Sequence, residues 1–167
     1  NYGPLAESGN ENIDLINAGG QFLAPNPGMS FFDSADAFAM IRGSHVDVTV
    51  LGAMQVSRRG DLANWMLPKR GIGNVGGAMD LAAGAKKVIV AMEHSNKDGK
   101  PKIVEECTFP LTAKNCVDLI VTDIAVIKIT ADGLLLTEVA PGWSPENVQE
   151  ETEAILNVSS QVREIEL

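Results

Sequence analysis

Histidine and cysteine are scarce in this chain, with two of each among 167 residues. His45 and His94 share no ligand spacing with each other or with the cysteines, so no metal site is expected. Cys107 and Cys116 stand too far apart for a CxxC redox or zinc pair and read as reduced structural thiols of an intracellular protein. Basic charge is also in deficit: 13 Lys and Arg against 22 Asp and Glu leave a net charge of −9, with no block of like charge. Nucleic-acid binders draw their affinity from clustered Lys and Arg, so no nucleic-acid partner is expected. No apolar run approaches the ~18 residues of a membrane span, and no membrane partner is expected either. What remains is a length suited to one domain with a substantial core.

One stretch of the chain stands out. An apolar run at 46–51, interrupted only by Asp47 and Thr49, predicts a buried strand. A long glycine-rich loop follows and leads to a small-residue helix opening at Gly76-Gly77-Ala78. A loop between a strand and a helix N-terminus is where α/β proteins place ligands, because free amides and the helix dipole attract negative charge there. Two glycines at that mouth leave no Cβ in a ligand's way. Elsewhere strands are predicted at 22–24, 88–92, 119–121, 125–129 and 134–138, the last two forming a hairpin across Ala131-Asp132-Gly133. Ser34 is expected to cap a helix through Arg42, and Ser144-Pro145 to start one over 145–152, before a last apolar segment at 154–158. The alternation predicts an α/β fold, a mostly parallel open sheet covered by helices. One domain over 1–158 is expected, with a loosely held polar tail over 159–167.

The wording of the chain carries more than its pattern. Asp14-Leu15-Ile16-Asn17-Ala18-Gly19 is followed by Phe31-Phe32-Asp33-Ser34-Ala35-Asp36, then by Ile41-Arg42-Gly43 and His45. Next come Gly52-Ala53-Met54-Gln55-Val56, Gly60-Asp61-Leu62-Ala63-Asn64-Trp65-Met66 and Gly76-Gly77-Ala78-Met79-Asp80-Leu81. Val88-Ile89-Val90-Ala91-Met92-Glu93-His94, Pro110-Leu111-Thr112 and Val121-Thr122-Asp123 complete the series. In this order and spacing the chain resembles the family I coenzyme A transferases, specifically the β subunit or C-terminal half of 3-oxoacid CoA-transferases.

That resemblance implies a CoA-transferase-like fold and a definite chemistry. CoA would pass between an acyl-CoA of the succinyl-CoA or acetyl-CoA type and a 3-oxoacid or short-chain carboxylate. A glutamate carboxylate would attack the thioester, pass through an anhydride and become a glutamyl-CoA thioester. Each attack places charge on a carbonyl oxygen, which a backbone amide must receive. The resemblance assigns that amide to Gly77, with Gly76 and Ala78 beside the substrate. The family holds its glutamate in a Glu-Asn-Gly sequence ahead of a Gly-x-Gly-Pro, and Gly3-Pro4 corresponds to the last two letters. The nucleophile is therefore expected shortly before Asn1, and the chain is expected to be a fragment lacking N-terminal strands of the same subunit. Within the chain the rival nucleophile is Glu7, whose neighbours Asn10, Glu11 and Asn12 give it the look of a solvated loop.

Other residues are open to two readings. Asn64, Trp65 and Met66 either line the acyl or pantetheine pocket or anchor the loop by packing. Arg42 either complements the end of its helix or clamps a substrate carboxylate. The lysines at 86–87 and 97–102 either steer CoA phosphates or border a solvated turn. His45 as a general base and His94 as a metal ligand find no partners in the sequence. No cofactor is expected, since CoA is itself a substrate. The resemblance implies an α subunit as partner, a heterotetramer, and a cytoplasmic location or, in a eukaryote, the mitochondrial matrix. The competing reading is a non-catalytic remnant of the same fold that binds a partner or CoA without turnover. Gly60 through Met66 look most like the succinyl-CoA:3-oxoacid group, although several acyl specificities share the pattern.

Overall fold

The computed structural model describes residues 3–17, 19–68, 71, 73 and 76–166. Two compact units divide the chain, Asn1–Ala37 and Phe38–Leu167. The first is built from turns. Its only ladder contacts among the described residues are isolated bridges, Leu5 with Leu23 and Ile16 with Phe22, so the strand expected at 22–24 is reduced to single pairings. The Asn17 side-chain oxygen accepts from the amides of Gly19 (2.9 Å) and Gln21 (3.0 Å), which holds the intervening turn. Helix α1 (Ser34–Arg42) forms where expected, but its cap does not. Asp33 Oδ1, not the Ser34 hydroxyl, accepts from the Asp36 amide at 3.0 Å. Ser34 has already entered the helix, which leaves Asp33 as the half-in residue able to satisfy a first-turn amide.

The second unit is organised by a six-stranded sheet in the order β1-β4-β6-β7-β8-β9. Its strands are β1 (Thr49–Leu51), β4 (Val88–Ala91), β6 (Leu119–Val121), β7 (Ala125–Thr130), β8 (Gly133–Val139) and β9 (Leu156–Glu164). Only β7 runs against its neighbours, so the mostly parallel sheet is as predicted. The β7–β8 hairpin turns at Ala131-Asp132, with Gly133 at φ 113°, a value an L side chain rarely adopts. Helix α2 (Ala78–Gly84) lies between β1 and β4, and helix α3 (Pro145–Glu150) between β8 and β9. Ser144 caps α3 as expected, its hydroxyl accepting from the Asn147 amide at 3.3 Å.

Two further expectations fail. The glycine-rich loop contains β2 (Gln55–Ser57) and β3 (Leu62–Ala63), which join β5 (Ile103–Val104) in a second, three-stranded sheet. Strands of two or three residues are too short for a period-two pattern to show. The polar tail expected over 159–167 is also corrected. β9 continues through Glu164, and its backbone pairs parallel to β8 at Glu138–Arg163 and Val139–Glu164. An edge strand needs one paired side only, so polar side chains can face water along its length.

Three crossovers, β1 to β4, β4 to β6 and β8 to β9, move in the same direction across the sheet between parallel strands. Right-handed connections of that kind all fall on one face. Burial agrees: Val88, Val90, Ile120, Ile127, Leu134 and Leu136 form one core with Ala82 of α2, Val148 of α3, and Val56, Leu62 and Ile103 of the small sheet. Residues that alternate with these, such as Ile89, Val121 and Val126, are only half-buried. In the outer strand Val50 is 62% exposed, and Val48 just before it is 50% exposed. An apolar edge strand of this kind templates pairing with another chain. The isolated chain is accordingly expected to sediment faster as its concentration rises, and Val50→Lys should weaken that dependence. A concentration-independent monomer would show that this edge carries no association.

Candidate active site

Helix α2 begins where Gly76-Gly77 meets the good helix formers Ala78, Met79, Leu81, Ala82 and Ala83, with Asp80 in the first turn, where an acidic side chain suits the helix dipole. Gly77 is the N-cap at φ −66°, ψ −5°, with no side chain capping the turn. Its carbonyl accepts from the Leu81 amide at 3.0 Å. Among the described residues, the amide of Gly77 donates to no acceptor. The two glycines differ in what they need. A Cβ on Gly76 would meet nothing, whereas one on Gly77 would sit 3.2 Å from the Cε1 and Cζ atoms of Phe38. Gly77 therefore lets the Phe38 ring lie against the backbone of the turn, and Gly76 has no such constraint.

Helix α1 supplies a second contact to the same turn. Arg42 Nε donates to Asp80 Oδ1 at 2.6 Å, and the Arg42 guanidinium lies 5.7 Å from the Phe38 ring centroid. Lower down, a Cβ on Gly84 would collide with the carbonyl oxygen of Ile41. Phe38, Ile41 and Arg42 share one face of α1 by their spacing, and Gly77, Asp80 and Gly84 share one face of α2. A shallow pocket lies here, lined by Arg42, Met79, Asp80, Ala83 and Gly84. Neither alternative reading of Arg42 described this pairing with the first turn of the neighbouring helix. The sequence did hold one signal, since Asp80 stands three residues after the N-cap glycine.

Asn64 and Trp65 use their polar atoms to hold the loop. The Asn64 amide donates to Thr112 Oγ1 (3.0 Å), the Thr112 hydroxyl donates to Asn64 Oδ1 (2.7 Å), and Asn64 Nδ2 donates to the Gly52 carbonyl (3.0 Å). The Trp65 indole N–H donates to the Leu111 carbonyl at 3.1 Å. A Cβ on Gly73 would lie 2.5 Å from the Trp65 ring and 2.7 Å from Met66 Cβ, so the returning loop rests on both residues. Lys69, Arg70, Ile72, Asn74 and Val75 of this loop lie outside the described residues. Upstream, Gln55 Oε1 accepts from the amides of Thr108 (2.9 Å) and Phe109 (3.0 Å), which fastens the segment that carries Leu111 and Thr112.

The remaining sequence-derived residues are ordinary. Glu7 is exposed in the first unit, in a turn closed by the Asn10 amide on the Glu7 carbonyl at 3.0 Å. His45 is exposed, and its amide donates to the Met40 carbonyl at 3.0 Å. Lys86 pairs with Asp47 at 2.7 Å, and the 97–102 segment is a turn organised by Asn96 Oδ1. Burial pushes the Cys107 and Cys116 thiols up to about 11, so both are protonated near neutral pH. Among the described residues no cluster of His, Cys, Asp and Glu could hold a metal ion, and no helix is long and apolar enough to cross a membrane.

Comparison with known proteins decides what this arrangement belongs to. Residues 1–151 match the family model described as Coenzyme A transferase. The chain belongs to the coenzyme A transferase family. It is 53% identical over 150 residues to a subunit of the succinyl-CoA:3-ketoacid coenzyme A transferase of Helicobacter pylori, covering 90% of this chain and 72% of that protein. To the acetate CoA-transferase subunit beta of Escherichia coli it is 48% identical over 147 residues, covering 88% and 68% of the two chains. The crystal structure of an acyl-CoA transferase apoenzyme from Escherichia coli O157:H7 superimposes with a TM-score of 0.75 at 21% identity, over 91% of this chain and 33% of that one. That structure confirms the coenzyme A transferase fold, in which this chain spans about a third of the longer polypeptide.

Proposed function

We propose that this transferase chain is the β part of a 3-oxoacid CoA-transferase of the succinyl-CoA:3-oxoacid type, working with an α subunit in a heterotetramer. The observation that carries the reading is the glycine turn at Gly77, whose amide donates to no acceptor among the described residues, in a chain 53% identical to a succinyl-CoA:3-ketoacid transferase subunit. In the first step a glutamate carboxylate oxygen attacks the acyl-CoA carbonyl, the C–S bond breaks, and CoA leaves as a thiolate. The thiolate then attacks the glutamyl carbonyl of the resulting anhydride, releasing the donor's carboxylate and leaving the glutamyl-CoA thioester. An acceptor carboxylate reverses both steps. Every attack makes an oxyanion, and a fixed amide such as that of Gly77 lowers its energy without reorganising.

Gly76 and Ala78 flank this amide, and Asn64, Trp65 and Met66 contribute a wall of the acyl or pantetheine pocket. CoA enters and leaves as substrate, and no further cofactor takes part. The nucleophile belongs to the Glu-Asn-Gly segment that the family carries ahead of Gly3-Pro4. Bacterial relatives and a mitochondrial one from rat, 51% identical over 152 residues, support a cytoplasmic or matrix location.

The test is covalent. The full-length protein with its α partner should gain the mass of CoA when given acyl-CoA, and borohydride reduction should then tag a glutamate outside this sequence. A tag on Glu7 would move the nucleophile into the chain. Absence of any adduct, with CoA still bound, would favour the non-catalytic remnant.

A further inference from the structure

Strand β3 ends at Ala63, and what holds the chain beyond it is a distant segment. Leu62 and Ala113 form an isolated bridge, and the Thr112 amide donates to the Leu62 carbonyl at 2.6 Å, which sets the Thr112 side chain beside Asn64. There one hydroxyl makes two bonds to one residue. It accepts from the Asn64 amide at 3.0 Å and donates to Asn64 Oδ1 at 2.7 Å. The direction of each bond is forced. The Gly52 carbonyl can only accept, so Asn64 Nδ2 faces it at 3.0 Å, and Oδ1 is left as an acceptor that takes the hydroxyl hydrogen. Gly52 is the first residue past β1, at the carboxyl end of a parallel strand, where open α/β sheets place their ligands. The same segment holds the next residue, since the Trp65 indole N–H is spent on the Leu111 carbonyl. Among the described residues, no backbone–backbone hydrogen bond fixes residues 64–66, so these side-chain bonds set where the half-buried Asn64, Trp65 and Met66 stand.

We propose that Thr112 is a positioning residue for acyl-CoA binding: its hydroxyl fixes Asn64 and, through it, the Trp65–Met66 wall of the pocket. The inference rests on the reading of Asn64, Trp65 and Met66 as that wall. Thr112 acts through Asn64 and Trp65 rather than on the substrate. Thr112→Val keeps the shape of the side chain and removes the hydroxyl. The Asn64 amide and Oδ1 then face a methyl group without partners, a cost the segment relieves by shifting until both reach water. A wall touches the acyl chain alike before and during the attack. Losing such uniform contact raises KM and leaves kcat in place.

The experiment uses the full-length protein with its α partner, and succinyl-CoA as the probe. Steady-state kinetics are measured beside fluorine NMR of protein carrying fluorotryptophan, with the Trp65 resonance assigned by its loss in Trp65→Phe. In the wild type, succinyl-CoA should move the Trp65 resonance. In Thr112→Val, KM for succinyl-CoA should rise about tenfold with kcat within about threefold, and the Trp65 resonance of the free protein should be displaced. Thr112→Ser, which keeps the hydroxyl, should restore both. A purely structural role would lower the melting temperature of Thr112→Val and leave KM and the resonance where they were. Thr112→Ala, which leaves room for a water between the two polar atoms, serves if Thr112→Val does not fold, and should show the same split in smaller measure. Unchanged KM and an unmoved resonance in a folded variant overturn the inference while the wall reading stands. A raised KM that Thr112→Ser fails to restore overturns it too, because the hydroxyl is then not the cause. A wild-type Trp65 resonance indifferent to saturating succinyl-CoA takes Trp65 out of the pocket and overturns the wall reading together with the inference.

Discussion

Gly77→Val in the complete enzyme should lower kcat by roughly 10²-fold or more, the scale for losing one oxyanion donor. The added side chain begins 3.2 Å from two ring atoms of Phe38, tighter than ordinary contact, and valine adds two methyl groups beyond that Cβ. The turn must move or the ring must leave, and either displaces the amide from where the charge develops. Stability should change far less than rate, because Gly77 already lies at φ −66°, a conformation open to any residue. Thermal melting beside steady-state kinetics separates the two effects. A well-folded variant with near-normal turnover would take Gly77 out of the mechanism.

His94→Ala is expected to cost about 3 kcal/mol of stability, from a buried ring and two hydrogen bonds lost together. His94 is 2% exposed. Its Nδ1 lies 3.0 Å from Thr122 Oγ1 and its Nε2 2.9 Å from Thr152 Oγ1. The Thr152 hydroxyl donates to the Val148 carbonyl at 2.6 Å, so Nε2–H is assigned as donor to Thr152 and Nδ1 as acceptor from Thr122. The His94 amide also donates to Asp123 Oδ1 at 2.7 Å. One side chain thus joins the end of β4, the β6–β7 turn and the end of α3. This is why a histidine without metal partners stands at the end of a strand.

The same environment gives a pH signature. Burial lowers the His94 pKa below its ordinary 6.5, against the opposing pull of Asp123 and Glu151. Above pH 6.5 the ring is neutral in both folded and unfolded chains and contributes no pH dependence. As pH falls below 6.5 the unfolded chain takes up a proton that the folded chain refuses, so stability declines towards the depressed folded pKa. Urea midpoints at pH 7.5 and 5.5 should converge for the wild type and His94→Ala at the lower pH. A constant gap between them would mean that His94 is not held neutral by the fold.

Several elements were legible from residues alone. Short apolar runs marked β4 and β6, and the Ala131-Asp132-Gly133 turn between two apolar-rich segments marked the β7–β8 hairpin. Ser144-Pro145 marked the start of α3, since a capping hydroxyl and a residue without an N–H suit a helix N-terminus. Gly76-Gly77-Ala78 marked α2. The two short strands β2 and β3 and the continuation of β9 were not legible. Their residues become strands through partners distant in sequence: Val56 beside Ile103, and Glu138 beside Arg163.

At the site the division is similar. The chain's own words determined its family, the glycine turn at the mouth of α2, and the loop around Asn64 and Trp65, since these are local strings with local chemistry. Which groups act on one another was decided only by the tertiary structure. Phe38 and Arg42 meet Gly77 and Asp80 because α1 and α2 approach closely enough to require a glycine at position 84. His94 meets Thr122 and Thr152 because the sheet order brings three connections together. Contacts of that kind depend on distances across the fold, and residue order along a chain sets those distances only after the sheet and its helices have packed.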